Sequence, residues 1–456
     1  MSEAREWYAA RIMVEVEARG VSPRRALDNY RQFPPLQDKD SPIRATVFAL
    51  TTETIRRLNI IKRVTHEVIA ANPQEVFGKS SPALKNLPSD VRNLLQVMSY
   101  RLLFERHPLP LLSNTSHIIL QEKQYHSFAE PFRTWLEDLN AFDISAYVRS
   151  IQDPEERLAL QTWTPTWLTR RIARANYQKG RETLFYFAKP PPTYARVNYQ
   201  QRDKVLDEFR RYNIHSQPDP ILPDLFQVTK VSAPLPKLEV FSKGFMYVQS
   251  RGSAFVTHFL EPAEGEKIFD ACASPGSKTS HIASLTNNKA DITALEFSPK
   301  RARQLGGVLD RNGVTSAKIV VGDARDPPLP PDSLFDKVLV DAPCSGSGTL
   351  STRPYAKWRI DKRLVLKYAR TQRDILEGVS PFVREGGLLL YSTCSLIPEE
   401  NEHVVSDFLQ QHPEFRSAPL GFPEVGTAIE HSGRRLYPQD IESEGFTLFL
   451  LQRGGS

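Results

Sequence analysis

From Lys267 onward the chain repeats one pattern that leaves it few folds to choose from. Short apolar runs, "KIFDA", "DITALEF", "AKIVVGDA", "FDKVLVDAP" and "GGLLLYSTC", alternate with segments of helical character such as "SPKRARQLGGVLDRNG". Strands that return after intervening helices build an open parallel sheet, which binds ligands beyond the carboxyl ends of its strands. The expectation is an α/β, Rossmann-like domain over residues 241–456, with the last run, "GFTLFLLQR", as an edge strand.

The rest of the 456 residues reads differently. Residues 1–155 carry helical periodicity. In "DVRNLLQVMSYRLLF", Val91, Leu94, Leu95, Met98 and Leu102 fall on one stripe, with Ser89 or Asp90 as the cap. Val47, Leu50, Leu58, Ile61, Val64 and Val68 repeat the pattern, and Arg56, Arg57, Lys62 and Arg63 occupy the opposite face. That face is either solvated or turned towards RNA. Residues 156–240 read as a linker and a small α+β subdomain. "WTPTWLTRRIARANYQKGRE" interleaves Trp163, Trp167 and Tyr177 with Arg170, Arg171, Arg174 and Lys179. Such mixing suits phosphate contacts and base stacking, although taken alone it fits an amphipathic linker helix better. "KPPPTYARVN" then leads, extended, into a strand.

Composition narrows the class. With 40% hydrophobic and 25% charged residues the chain is an ordinary globular one, and no apolar run is long enough to span a membrane. The first twenty residues mix charges without a signal-like block, so the chain is expected to be cytoplasmic. Three cysteines without CxxC spacing argue for free thiols rather than disulfides or a metal cluster. A net charge of +6 leans towards a polyanionic partner.

The strand ends carry the chemistry. "FDACASPGSKTSHIASL" places Ala273, Ser274, Gly276 and Ser277 before a helix, where small residues let backbone N–H groups approach a ligand. Ser277 separates Gly276 from Lys278, so the loop is not a P-loop, and it is not GxGxxG. The following strands end in Glu296, suited to ribose hydroxyls, in Asp323, suited to an adenine amino group, and in Asp341. Any one alone reads as a helix cap. Together they fit an adenosyl ligand without a pyrophosphate, S-adenosylmethionine.

Two of the thiols, Cys344 in "DAPCSGSGTL" and Cys394 in "YSTCSLIPEENE", follow separate strands fifty positions apart. Methylating carbon 5 of cytosine needs covalent help: a thiolate adding at carbon 6 makes carbon 5 nucleophilic, and a second acid/base group helps finish. An ordinary thiol is only about 3% ionised at neutral pH, so a nearby cation such as Lys278 or a sulfonium is needed. Asp341 could hold the exocyclic amine or a protonated ring nitrogen. Either thiol could attack on these grounds alone.

These motifs closely resemble the Sun/nucleolar-protein (RsmB-like) family of RNA cytosine-5 methyltransferases. The match is carried by "DACASPGSKTSHI", "DAPCSGSGTL" and "YSTCSLIPEENE", and it extends through "PPPTYARVN", "GFMYVQSRGSAFV" and "GFTLFLLQR" over roughly residues 160–453. The helical N-terminal region looks like the family's NusB-like RNA-binding domain. The resemblance implies S-adenosylmethionine contacts from Cys272, Ala273, Ser274, Pro275, Gly276, Ser277 and Lys278, then Glu296, Arg301, Asp323 and Asp341. It implies Cys394 as nucleophile, Cys344 as the residue assisting release, and Lys278 and Asp341 at the target base. The chain departs from the family at Ser274 for alanine, Ser277 for glycine and Glu296 for aspartate. The expected partner is RNA, ribosomal or transfer, met by a monomer without metal or membrane. The rival readings are a non-catalytic RNA-binding assembly factor and a DNA cytosine methyltransferase, in which Cys344 would attack.

Overall fold

A computed structural model describes residues 5–30, 34–38, 41–71, 87–175, 177–421 and 425–454. The chain divides into two compact units, Met1–Ala173 with Arg353–Arg359, and Arg174–Thr352 with Ile360–Ser456. The helical unit thus runs past the boundary expected at 155. The small subdomain and the Rossmann-like region fall in one unit.

The first unit is helical throughout its described residues. Its helices Pro42–Arg56 and Leu58–Ala71 are separated by Arg57 yet bury Val47, Leu50, Leu58, Ile61, Val64 and Val68, as the periodicity predicts. Helix Ser89–Leu103 also buries the predicted stripe, but Asn93, Gln96, Val97 and Ser99 are buried too. It is a central helix packed on several sides, which a one-stripe reading understates. Neither proposed residue caps it. Pro88 holds the cap position, and Asp90 turns to Arg11 at 2.5 Å.

The expected basic face is only partly open. Arg56 and Arg57 both pair with Glu53, at 3.1 and 2.5 Å, and the Arg57 guanidinium lies 4.4 Å from the Trp163 ring centroid. Arg63 reaches Glu156 at 2.6 Å and Lys62 faces Glu17 at 3.7 Å. Downstream, Arg170 binds Asp153 and Glu155, while Trp163 packs on the helical core. Each of these cations thus lies against an acid, Arg56 and Arg57 sharing one on their own helix, while the Lys62 and Arg63 side chains keep 49% and 41% of their surface exposed. The Tyr177 side chain lies outside the described residues.

In the second unit a four-stranded antiparallel sheet, ordered β2-β3-β1-β4, comprises β1 (Thr193–Val197), β2 (His215–Pro218), β3 (Leu225–Lys230) and β4 (Met246–Val248). It reaches beyond the subdomain limit expected at 240. The larger sheet contains β5 (Lys267–Asp270), β6 (Asp291–Glu296), β7 (Ala317–Val321), β8 (Phe335–Asp341), β9 (Val383–Thr393), β10 (Phe415–Ala418), β11 (Thr427–Ala428), β12 (Arg434–Leu436) and β13 (Phe446–Arg453). Its order is β11-β12-β13-β9-β8-β5-β6-β7, and β10 also pairs with β13. Strands β5 to β9 are parallel neighbours, as expected of the Rossmann-like class. The final run is not an edge strand. Strand β13 lies antiparallel to β9 on one side and is covered on the other by β12 near Phe446 and by β10 near Arg453. Two short covering strands, too brief to read as apolar runs, close what would be an edge. Among the described residues no helix is long and apolar enough to cross a membrane.

Buried polar groups fasten the small sheet to helices Arg251–Leu260 and Ser277–Leu285. Arg196 of β1 donates to the Ser277 carbonyl at 2.8 Å and to Ser280 Oγ at 3.0 Å. Asp224, just before β3, accepts from His258 Nε2 at 2.9 Å and His281 Nε2 at 2.7 Å. Burial pushes the fully enclosed His281 imidazole down to about 4 in spite of Asp224. The folded protein therefore refuses a proton that the unfolded chain accepts near pH 6.5, and stability falls as pH drops from there towards 4. The unit is expected to be about 2 kcal/mol less stable at pH 5 than at pH 7.5 from this residue alone. Urea unfolding at both pH values checks this, and His281→Asn should flatten the difference.

Candidate active site

The carboxyl ends of β5, β6, β8 and β9 meet at one edge of the parallel sheet. After β5 the chain turns through Ala271–Gly276 into helix Ser277–Leu285. The turn rests on both neighbouring strands, with Ala271 N–H on the Leu339 carbonyl at 2.9 Å and Ala273 N–H on the Leu295 carbonyl at 3.0 Å. Gly276 has φ of 107°, and a Cβ there would stand 2.9 Å from Leu305 Cδ1. Only glycine meets both demands.

Lys278, in the first turn of that helix, is 8% exposed. Its Nζ donates to Asp341 Oδ2 at 2.6 Å, and Ser392 Oγ donates to Asp341 Oδ1 at 3.0 Å. Burial would lower the Lys278 ammonium, but Asp341, Asp270 and Cys394 outweigh it and raise the group, so it stays charged. Beneath, Asp270 accepts from Thr279 Oγ1 at 2.7 Å and is pushed up to about 6 by burial. Cys272, on the turn itself, has its thiol driven upward by burial and then by Asp270 and Asp341.

Parallel pairing of β8 with β9 brings the other two thiols together. Cys344 Sγ and Cys394 Sγ are 3.2 Å apart, in contact but beyond the ~2.05 Å of a disulfide. Their mutual hydrogen bond, then burial, holds Cys344 well above the ordinary thiol range. Gly348 N–H donates to the Cys394 carbonyl at 2.8 Å, and a Cβ at Gly348 would fall 2.4 Å from the Gly445 carbonyl oxygen. Glycine is what lets the two loops lie so close.

A carboxylate that sequence reasoning passed over ties these loops. Glu400, fully buried, accepts from Ser345 N–H at 2.7 Å, Ser345 Oγ at 2.5 Å and Ser395 Oγ at 2.6 Å. Each serine directly follows one of the cysteines. Gln372 adds an Nε2 donor to Glu400 at 3.4 Å and another to the Pro343 carbonyl at 2.9 Å. The available signal was the repeated Cys-Ser with two glutamates a few residues on, but nothing in the sequence says which glutamate turns inward.

On the other side of the Gly276 turn, Arg301 Nη2 donates to the Ser274 carbonyl at 3.0 Å and lies 3.5 Å from Glu296 Oε2. Glu296, 3% exposed, also accepts from Ser298 N–H at 2.9 Å. A carboxylate offers about four acceptor positions, so capacity for ribose hydroxyls remains. The small-residue turn with the Glu296 and Asp341 acceptors fits an adenosyl sulfonium. Pro275 is exposed at the turn. Asp323, just beyond β7, is held instead by Arg325, whose Nη2 lies 2.6 Å from Oδ2. That bond lowers the carboxyl, and among the described residues no hydrogen bond ties Asp323 to the rest of the site. The structure thus assembles Lys278, Asp341, Cys344 and Cys394 in one cluster and Ser274, Glu296 and Arg301 in a second, with Asp323 apart.

Residues 257–452 match the model of a family described as 16S rRNA methyltransferase RsmB/F. The chain is similar to a probable ribosomal RNA small subunit methyltransferase B of Bacillus subtilis (strain 168), 31% identical over 314 residues, which cover 67% of this chain and 70% of that protein. Among solved structures it is similar to the crystal structure of PH0851, with a TM-score of 0.78 and 24% identity over 99% of this chain and 100% of that one. It is also similar to the crystal structure of NSun6 from Pyrococcus horikoshii with SFG, with a TM-score of 0.58 and 24% identity over 64% of this chain and 99% of that one.

Replacing Glu400 by alanine strands the Ser345 N–H and two hydroxyls in a buried site, at about 1–3 kcal/mol for each donor left unmet. Glu400→Ala should lower the thermal midpoint of this unit by several degrees in calorimetry.

Proposed function

Because the chain belongs to the 16S rRNA methyltransferase RsmB/F family, we propose that it methylates carbon 5 of a cytosine in small-subunit ribosomal RNA through a covalent adduct on Cys394. The observation that carries the reading is the pair of thiols 3.2 Å apart beside the Lys278–Asp341 pair. S-adenosylmethionine is the cofactor, and when bound it supplies an electrophilic methyl group. The Cys272–Lys278 turn, Glu296, Arg301 and Asp341 would hold it, with Asp323 joining if its bond to Arg325 opens.

The protein's own groups divide the work by protonation. The Cys344 thiol, held well above the ordinary thiol range, keeps its proton 3.2 Å from the Cys394 sulfur that attacks. The Lys278 ammonium adds positive charge nearby. Cys394 then bonds to carbon 6 of the target base, and Asp341, fixed by Lys278 and Ser392, faces the polar edge of the ring. Carbon 5 takes the methyl group, its proton leaves to a base, and the carbon 6–sulfur bond breaks to restore the ring. Cys344 assists that last stage. Reaching a base inside folded RNA requires flipping it out.

A denaturing gel separates the two roles. With unmodified 16S rRNA and S-adenosylmethionine, Cys394→Ala should give neither methylation nor an adduct, while Cys344→Ala should accumulate a complex that survives denaturation. An adduct kept by Cys394→Ala and lost by Cys344→Ala would reverse the assignment. Methylation intact in both single variants would end covalent catalysis by these thiols.

For the cofactor, Asp323→Ala should weaken S-adenosylmethionine binding by about tenfold, or ~1.4 kcal/mol, in calorimetry. Unchanged affinity would remove Asp323 from the site and leave its carboxylate to Arg325.

A further inference from the structure

We infer that the exposed face of helix Lys362–Val379 is the surface along which the backbone of the substrate RNA lies, an inference that rests on the RNA reading above. The helix has two unlike faces. Val365, Ala369, Gln372, Leu376 and Val379 are buried, and Gln372 reaches the carbonyl of Pro343, the residue before Cys344, at 2.9 Å. This inner face is therefore part of the support of the Cys344 loop. The outer face exposes Lys362, Arg363, Lys367 and Arg370.

At 100° per residue these four cations share an arc of about 140° and extend about 12 Å along the axis. None of them has an ionic partner among the described residues, unlike Arg373 on the same helix, which binds Asp407 at 2.7 Å. Asp361 turns back to cap the helix through Leu364 N–H at 2.7 Å, and the exposed acids Asp374 and Glu377 come only after Arg370. Glu377 is itself engaged by His412 at 2.8 Å.

Position adds to charge. The first turn holds Lys362 and Arg363 and no acidic residue. Cations there oppose the helix macrodipole and destabilise the helix, so folding does not explain them. They do explain attraction of a polyanion, because the four exposed cations outnumber the single capping carboxylate of Asp361 at this end of the helix. Leu366, 39% exposed among them, offers an apolar contact for sugar or base. In the helical unit Arg56, Arg57, Lys62 and Arg63 each lie against Glu53, Glu17 or Glu156, whereas the four cations of this face have no such acid beside them among the described residues.

The test uses the full chain and unmodified 16S rRNA transcribed in vitro. A variant carrying Lys362→Gln, Arg363→Gln, Lys367→Gln and Arg370→Gln keeps helix propensity and relieves the first turn, so it should fold. It should bind the RNA at least tenfold more weakly at physiological salt, with the effect in KM rather than kcat. The slope of log affinity against log salt should shrink by about 0.7 for each single-strand phosphate that is no longer neutralised, or by 2–3 in all. The charge-keeping exchange Lys362→Arg, Arg363→Lys, Lys367→Arg and Arg370→Lys should restore most of the affinity. If the wild type methylates the RNA and the glutamine variant keeps its affinity and slope, this surface is overturned and the proposed reaction stands. If binding depends on the four cations but the wild type never methylates the RNA, the surface stands and the proposed reaction falls.

Discussion

Parallel pairing of β8 with β9 is the constraint on which the geometry of the candidate site depends. From Lys337 opposite Leu388 to Asp341 opposite Ser392 the two strands stay in register, and the Ala342 N–H extends the ladder to the Ser392 carbonyl at 2.9 Å. Parallel strands release their following loops at the same edge, so a cysteine three residues beyond Asp341 and another two beyond Ser392 emerge side by side. A one-residue slip would turn every side chain of one strand to the opposite face and separate them. Lys278 arrives from the other neighbour of β8, through the turn after β5.

Burial gives these groups their chemical character. Lys278 and Asp341 are held in a largely enclosed pair, and removing either would leave the other's charge uncompensated. Cys272 and Cys344 are both driven towards the neutral thiol, but by different causes. Burial leads at Cys272, whereas the bond to Cys394 leads at Cys344. Sequence position alone leaves Cys344 and Cys394 as equal candidates for attack and sets Cys272 apart on the turn after β5.

The strands of the parallel sheet and the acids at their ends were legible because each is a local pattern, an apolar run closed by one polar residue. The buried stripe of helix Ser89–Leu103 was legible for the same reason. What escaped depends on which partner the fold turns towards a residue, whether near or far in sequence. Arg63 looks free until Glu156 is brought to it, Asp323 until Arg325 folds back, and Glu400 looks like any surface glutamate until Ser345 and Ser395 close over it. The interior place of β13 was hidden because β10 and β12 are too short to show a period. The cationic face of helix Lys362–Val379 was hidden by its setting, since a charge run reads alike whether or not acids oppose it.

Strand β13 also governs the order in which the molecule can assemble. Strand β9, which delivers Cys394, finds one partner in β8 and the other in β13, each dozens of residues away along the chain. Such contacts repay their loop-closure entropy only late, after the helices and the antiparallel hairpins have formed. A partly folded chain can therefore hold much of its secondary structure with Cys344 and Cys394 still far apart. The close thiol pair comes into being with the closing of the sheet, so a chain that has not finished folding carries two separate thiols.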